Sequence, residues 1–395
     1  MLTTAETTQP SLTRDLVLAR VRNLLPGIRE RAALSEERRS IPAESAQEFL
    51  DAGLARILLP KQFGGAELGL RTWVDAVIEI GTADAAHGWC ASLLIHHPHY
   101  LAQFPEGAQA AVWADGPDVP LAVTLTPASR IEPTQGGYRI SGRISYLSGV
   151  NNCTWIVVGG MLPGPGGEPD WTLFTVPPGF YTVEDTWHTV GMRGTGSNTV
   201  VYEDVFVPHD HVLRVDDMRD GTALGAKSYE SSFFRAPWIT YAPATFTAPM
   251  LGAARGALQD YVAWTTKRMS LFGGPVADYT SIQTRLARAA ADLDAAELLT
   301  YRAIDVAEAP EPASPELRSR SYRDHARAAE LIVAAMDTIM QISGSAGFTT
   351  SSRIQRAWRD VHFASSHVIL NPETSYAAWG REQFGIARDT KQLLY

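Results

Sequence analysis

The spacing of apolar positions changes character twice along the chain. Over 11–116 it is helical: Ser11 suits an N-cap, and Leu16, Val17, Val21 and Leu24 follow at the spacing of one helix face. A second helix is predicted over 41–53, where Pro42 fits a first turn. Lys61-Gln62-Phe63-Gly64-Gly65 reads as a loop, and further helices are predicted over 70–81 and 85–100, the latter the more buried. Over 119–215 short β-rich runs take over at 138–142, 155–158, 171–176, 199–202 and 205–207, broken by the Gly136-Gly137 turn and a Pro/Gly loop at 163–169. Short strands with frequent turns predict a β-barrel or sandwich. From about Ser228 long Ala-rich helices are predicted over 249–268, 282–306 and 322–343, with a Pro/Glu loop at 308–316. Ala326, Ala329, Val333, Met336 and Met340 share one stripe, so these helices point to a bundle. No internal repeat is visible.

Composition narrows the function classes. With 45% apolar and 19% charged residues, the 395-residue chain can bury a large core. A net charge of -9 argues against nucleic acid or an anionic membrane as partner. No apolar stretch approaches the roughly 20 residues of a membrane helix, and the polar, Thr-rich segment 1–10 does not read as a targeting signal. Cys90 and Cys153, far apart and without metal-ligand spacing, suit a reducing cytoplasm better than a disulfide framework.

Helices, a β-region and a helical bundle in that order, with four local segments, resemble the acyl-CoA dehydrogenase superfamily over about residues 15–390. The segments are Leu59-Pro60-Lys61-Gln62-Phe63-Gly64-Gly65; Gly191-Met192-Arg193-Gly194-Thr195-Gly196-Ser197 with Glu203 to Pro208; Arg268 with Phe272-Gly273 and Gln283; and Gly344 with Gly347 leading to Arg356-Ala357-Trp358-Arg359-Asp360. The resemblance implies an α+β fold with an N-terminal helical domain (1–117), a central β-barrel domain (118–225) and a C-terminal four-helix bundle (226–395). Many dehydrogenases of this superfamily carry a glutamate base just after the Arg-Asp pair. Here that stretch reads Asp360-Val361-His362-Phe363-Ala364-Ser365-Ser366-His367-Val368, with no acid and a histidine next to its place. This pattern is similar to the group D flavin-dependent monooxygenases, as are Gly88-Trp89, His96-His97, Phe104-Pro105, Trp113 and Ser148-Gly149. Such a resemblance implies an oxygenase component that takes reduced flavin (FMNH2 or FADH2) and O2, forms a C4a-hydroperoxyflavin and hydroxylates a phenolic, indolic or polycyclic aromatic. It also implies a homotetramer.

That chemistry assigns candidate residues. His367 is expected to accept a phenolic proton, since an ordinary histidine titrates near neutral pH. On spacing alone it reads as a satisfied histidine at a helix end, and the resemblance supplies the catalytic reading. His362 is assigned to packing or support, and His96 to substrate contact. His97 and His99 are assigned structural or solvent-facing places, because a proline and the lack of acidic neighbours argue against a metal at His96-His97-Pro98-His99. Ser148 resembles the hydroxyl near flavin N5, although a serine before glycine is also an ordinary turn residue. Thr124 and Thr126 match flavin or substrate contacts, with β-propensity nearly as good an explanation. Arg193, Thr195 and Ser197 can meet the flavin ribityl or phosphate. Arg268 and Gln283 can bind flavin phosphate or a neighbouring subunit's cofactor, unless Arg268 is simply a surface charge. Trp89 and Trp238 read as core.

No strand is followed by Gly-x-Gly-x-x-Gly and no βαβ unit is predicted, so no nicotinamide nucleotide site is expected. A separate NAD(P)H-dependent flavin reductase follows as the expected partner. The alternatives are an acyl-CoA dehydrogenase or oxidase, for which Glu373 is the nearest base, an N-oxidising enzyme on the same scaffold, or a non-enzymatic helical protein.

Overall fold

The computed structural model describes residues 11–164, 167–271 and 273–387; the segment 1–10, residues 165–166 of the Pro/Gly loop, Phe272 and the segment 388–395 lie outside them. Thr13, not Ser11, caps the first helix, α1 (Arg14–Arg38): its hydroxyl accepts the Leu16 amide at 3.3 Å. Helix α2 (Ala43–Asp51) follows Pro42 and stops short of Gly53, whose φ of 83° turns the chain into a 3-10 turn, as glycine alone does cheaply. Helices α3 (Leu70–Ala83) and α4 (Ala85–Leu101) are separated only by Asp84, which caps α4 by accepting the His87 amide. Nearly every position of α4 is buried, which explains its lack of a polar face. Helix α5 (Glu106–Val112) closes this layer.

Strands β1 (Leu121–Thr134), β2 (Gly137–Leu147), β3 (Trp155–Pro163), β4 (Pro169–Val176), β5 (Thr182–Glu184), β6 (Asn198–Pro208) and β7 (Val212–Arg214) make one mixed sheet in the order β5-β6-β2-β1-β3-β4-β7. The two end strands are three residues each and too short to carry a periodic signal. β1 pairs with β3 in parallel and the other pairs are antiparallel. Among the described residues β5 and β7 are not bonded to each other, so hydrogen bonding does not close the expected barrel. Burial supplies its core instead: Ala122, Ile144, Ile156, Phe174 and Val200, from five strands, share one cluster.

After the short α6 (Val215–Asp220) and a run of 3-10 turns, the chain forms α7 (Ala244–Thr265), α8 (Thr280–Glu308), α9 (Pro315–Gly347), α10 (Arg353–Ser365) and α11 (Pro372–Gln383). The first of these starts five residues before Pro249, the expected beginning. Proline inside a helix removes one amide donor. The Thr245 carbonyl, one turn earlier, accepts the Ser92 hydroxyl of α4 at 2.9 Å. On α9, Ala326, Ala329, Met336 and Met340 are buried and Val333 half-buried, and the helix breaks at Gly344 (φ 63°).

Helices α3 and α7 cross backbone to backbone. A Cβ on Gly252 would lie 2.4 Å from the Ile78 carbonyl oxygen, and one on Gly256 2.2 Å from that of Thr82. Gly256→Ala should therefore cost about 1–3 kcal/mol, read as a lower urea midpoint; an unchanged midpoint would show that the crossing is loose.

Candidate active site

Three elements meet where α4, the turn after β2 and the segment after α10 converge. Trp89 Nε1 donates to Ser148 Oγ at 3.1 Å. Ser148 Oγ lies 2.7 Å from Ser197 Oγ, which lies 2.7 Å from Thr195 Oγ1. Thr195 Oγ1 in turn donates to the Met192 carbonyl at 2.9 Å. Each hydroxyl has one proton, so the direction of the row is fixed from its end. A carbonyl only accepts, so Thr195 spends its proton on Met192, Ser197 must donate to Thr195, and Ser148 must donate to Ser197. Half-buried Ser148 is left as an acceptor toward anything that arrives beside it.

His367 meets the same tryptophan. Its ring stacks on Phe246 at 3.8 Å between centroids and meets the Trp89 ring edge-on at 6.2 Å. Although half-buried by surface, crowding by these rings pushes its pKa down to about 4. Protonation is thus disfavoured in the fold; the stability this contributes is complete above about pH 6.5 and lost as pH falls toward 4. The Ile369 amide donates to Nδ1 at 3.4 Å, so the neutral ring carries its proton on Nε2. On this geometry the ring presents a donor at Nε2.

The three histidines near the end of α4 reach in different directions. His97 Nδ1 donates to the Leu121 carbonyl at 2.6 Å, His99 Nε2 to the Phe233 carbonyl at 2.9 Å, and His96 Nδ1 meets Thr245 Oγ1 at 2.8 Å. Both His97 and His99 are buried, which settles them away from solvent, and burial lowers each pKa to about 4. His96 is not in the Ser148 row; it lies behind it, stacked on Trp73 at 4.5 Å.

Other candidates are placed apart from this cluster. Thr124 and Thr126 bond to each other at 3.2 Å, on the strand whose first residue, Leu121, lines an apolar cleft with Ser148, Gly149, Cys90 and Cys153. Arg193 is spent on its own loop and on α1, donating to the carbonyls of Thr189 (3.0 Å) and Glu36 (3.3 Å). Arg268 donates to the Ser343 carbonyl and covers the Trp264 ring, while exposed Gln283 donates to the Ala277 carbonyl. They sit at the far end of α7 from Phe246, a rise of about 30 Å at 1.5 Å per residue. His362 is bonded to the Trp358 carbonyl and to Asp337, as a packing residue would be. Glu373 lies exposed in the first turn of α11, so it offers the site no carboxylate base. Sequence reasoning missed Trp89 and Phe246 as site residues; nothing in their spacing marks them out.

Asp360 anchors the site from below. Buried on α10, it accepts the Met192 amide of the glycine-rich loop at 2.6 Å. Burial first, then the neighbouring Asp84 carboxylate, push its pKa up to about 7. A raised carboxyl pKa means that ionisation opposes folding, increasingly from the ordinary 3.8 up to about 7 and constantly above. Asp360→Asn keeps the acceptor and removes the charge. Its stability relative to the parent protein should therefore rise between pH 4 and pH 7 and then level, as measured by urea unfolding; a pH-independent difference would refute the assignment.

Comparison with known proteins identifies the family. Residues 13–114 match the acyl-CoA dehydrogenase N-terminal domain and 244–372 the C-terminal domain. The chain is 34% identical to the flavin-dependent monooxygenase oxygenase subunit HsaA of Mycobacterium tuberculosis, over 94% of this chain and 95% of that one. It is also 34% identical to the FADH(2)-dependent resorcinol hydroxylase oxygenase component of Rhizobium sp., over 96% and 97%. The crystal structure of 3-HSA hydroxylase from Rhodococcus sp. RHA1 superposes with a TM-score of 0.91 at 34% identity, covering 96% of this chain and 98% of that one. On these similarities the chain belongs to the oxygenase components of flavin-dependent monooxygenases, built on the acyl-CoA dehydrogenase fold.

Proposed function

We propose that this oxygenase component takes FMNH2 or FADH2 from a separate NAD(P)H-dependent reductase and, with O2, hydroxylates a phenolic, indolic or polycyclic aromatic molecule. The carrying observation is His367, stacked on Phe246 and edge-on to Trp89, whose indole N–H meets a hydroxyl row that ends in an acceptor. Aromatic walls from Trp89 and Phe246 suit a flat substrate, and the resorcinol hydroxylase among its relatives acts on a phenol by name.

The residues present fit a reduced flavin. Ser148 can only accept, and the reduced ring offers an N5–H where the oxidised ring offers a lone pair. When bound, the reduced ring supplies the electrons that let O2 give up one oxygen atom. The chain's own groups do the rest. Trp89, Ser197 and Thr195 hold Ser148 as an acceptor. His367 Nε2–H donates to the substrate oxygen and favours its phenolate; a ring with a pKa of about 4 is too weak a base to take the proton of an ordinary phenol. Thr124 and Thr126 lie on the strand that borders the cleft and serve as further contacts, with His96 as the substrate contact behind it.

Arg268, just past the end of α7, and Gln283, in the first turn of α8, are too far from Phe246 to serve this chain's own ring and act on the cofactor of a neighbouring subunit. A homotetramer accounts for the exposed apolar residues near them, Trp264, Met269 and Leu271, the last 93% exposed. Two unpaired thiols accord with work in the cytoplasm, and no described helix is long and apolar enough to cross a membrane.

Two variants test the roles. His367→Ala should bind reduced flavin normally yet lose about 100-fold in hydroxylation, with O2 diverted to H2O2. His367→Gln, which restores a donor without basicity, should recover much of that loss; equal loss in both would reject the donor role. Ser197→Ala frees the Ser148 proton, so the ratio of reduced to oxidised flavin affinity should fall about fivefold, the worth of one hydrogen bond, in anaerobic titrations. An unchanged ratio would dismiss the row.

A further inference from the structure

Behind the His367 cluster, buried polar atoms gather about the turn Trp238–Thr240 and Tyr241. His96 and His99 reach it from α4, Gln103 from just past the end of α4, and His325 from α9; with Trp238 all are at most 2% exposed. His96 Nε2, His99 Nδ1, Gln103 Oε1, Trp238 Nε1 and His325 Nδ1 meet no hydrogen-bond partner among the described residues. The ring and amide contacts tie them into one seam. His96 and His99 lie 5.9 Å apart between centroids, His99 meets Tyr241 at 4.9 Å, Gln103 donates to the Tyr241 hydroxyl at 3.2 Å, and His325 donates to the Thr240 carbonyl at 3.2 Å. An unpartnered buried polar atom costs about 1–3 kcal/mol, so a cluster of five is expensive unless something is meant to meet it.

The polarity of the seam follows from tautomers fixed by the backbone. His99 and His325 each give their one neutral-ring proton to a carbonyl through Nε2, which leaves each Nδ1 a bare acceptor. Gln103 uses its amide N–H on Tyr241 and presents Oε1. Trp238 alone must donate. The seam holds no free cation: burial keeps His96, His99 and His325 neutral, and the nearby Asp324 is paired with Arg302 and Arg323.

The seam adjoins the active site. His96 bonds Thr245, whose neighbour Phe246 stacks on His367, and His96 lies two turns beyond Trp89 on α4, a rise of about 10 Å. We infer that the substrate is elongated, its reacting ring at His367 and its far end in this seam, and that the far end is neutral and donates a hydrogen bond, as a hydroxyl does. A carboxylate would meet the bare acceptors of His99, Gln103 and His325, and an ether or ketone has no proton to give them. The inference rests on the function proposed above and narrows its substrate class.

The test uses the full protein with bound FADH2 under anaerobic conditions, titrated calorimetrically with three rigid phenols: 4-(4-hydroxycyclohexyl)phenol, its cyclohexyl methyl ether, and 4-(4-hydroxyphenyl)cyclohexanecarboxylate. The alcohol should bind about tenfold more tightly than the other two. Gln103→Leu and His325→Phe, each removing one acceptor, should narrow that ratio severalfold while leaving the Kd for FADH2 unchanged. Equal binding of all three, or a ratio that survives both variants, would mean that the seam holds only water, and would overturn the inference while leaving the monooxygenase reading intact. A chain that binds no FADH2 would overturn both.

Discussion

The contact between α4 and α7 is the constraint on which the site depends. Pro249 cannot donate to the Thr245 carbonyl, and that carbonyl takes the Ser92 hydroxyl instead. Glycines at 81, 252 and 256 let α3 approach α7 at backbone distance. These close crossings hold the first turn of α7 against α4, so that Phe246 faces Trp89 and Thr245 faces His96. A wider spacing would separate the aromatic walls and open the site to water.

Charge pins the other side. The Glu36 carboxylate of α1 receives Arg356 and Arg359 of α10, and Arg193 of the glycine-rich loop stands 3.9 Å away. Asp360 then holds the same loop through the Met192 amide. Three parts distant in sequence are locked together here, and the hydroxyl row that starts at Trp89 ends on Met192 itself. The anchoring of α10 and the orientation of Ser148 are thus one mechanical unit. Arg193, expected from the sequence to meet the flavin, also fastens that unit.

Desolvation explains why this interior is chemically quiet until substrate and cofactor arrive. It keeps His96, His97, His99 and His367 neutral and holds the Cys90 thiol protonated, leaving donors and acceptors rather than charges around the cleft. A neutral, water-poor pocket strengthens each remaining hydrogen bond, which suits a reaction in which stray water wastes the oxidant.

Much of this was legible along the chain. The 3.6-residue and two-residue periods located the long helices and the central strands, because those periods are dictated by which face is buried. The absence of an acid after Asp360, and the histidine at 367, were visible as letters. Edge strands of three residues and the start of α7 were not, since so short a strand has no period and Pro249 masks a helix that tertiary contacts complete. Nor could spacing tell that His367 would lose its basicity, that Arg193 would be consumed, or that Trp89 and Phe246 would wall the site. Those outcomes depend on burial and on partners hundreds of residues away, which a linear pattern does not carry. The sequence by itself determined which elements form and which chemistry is missing; the tertiary structure decided which way each proton points.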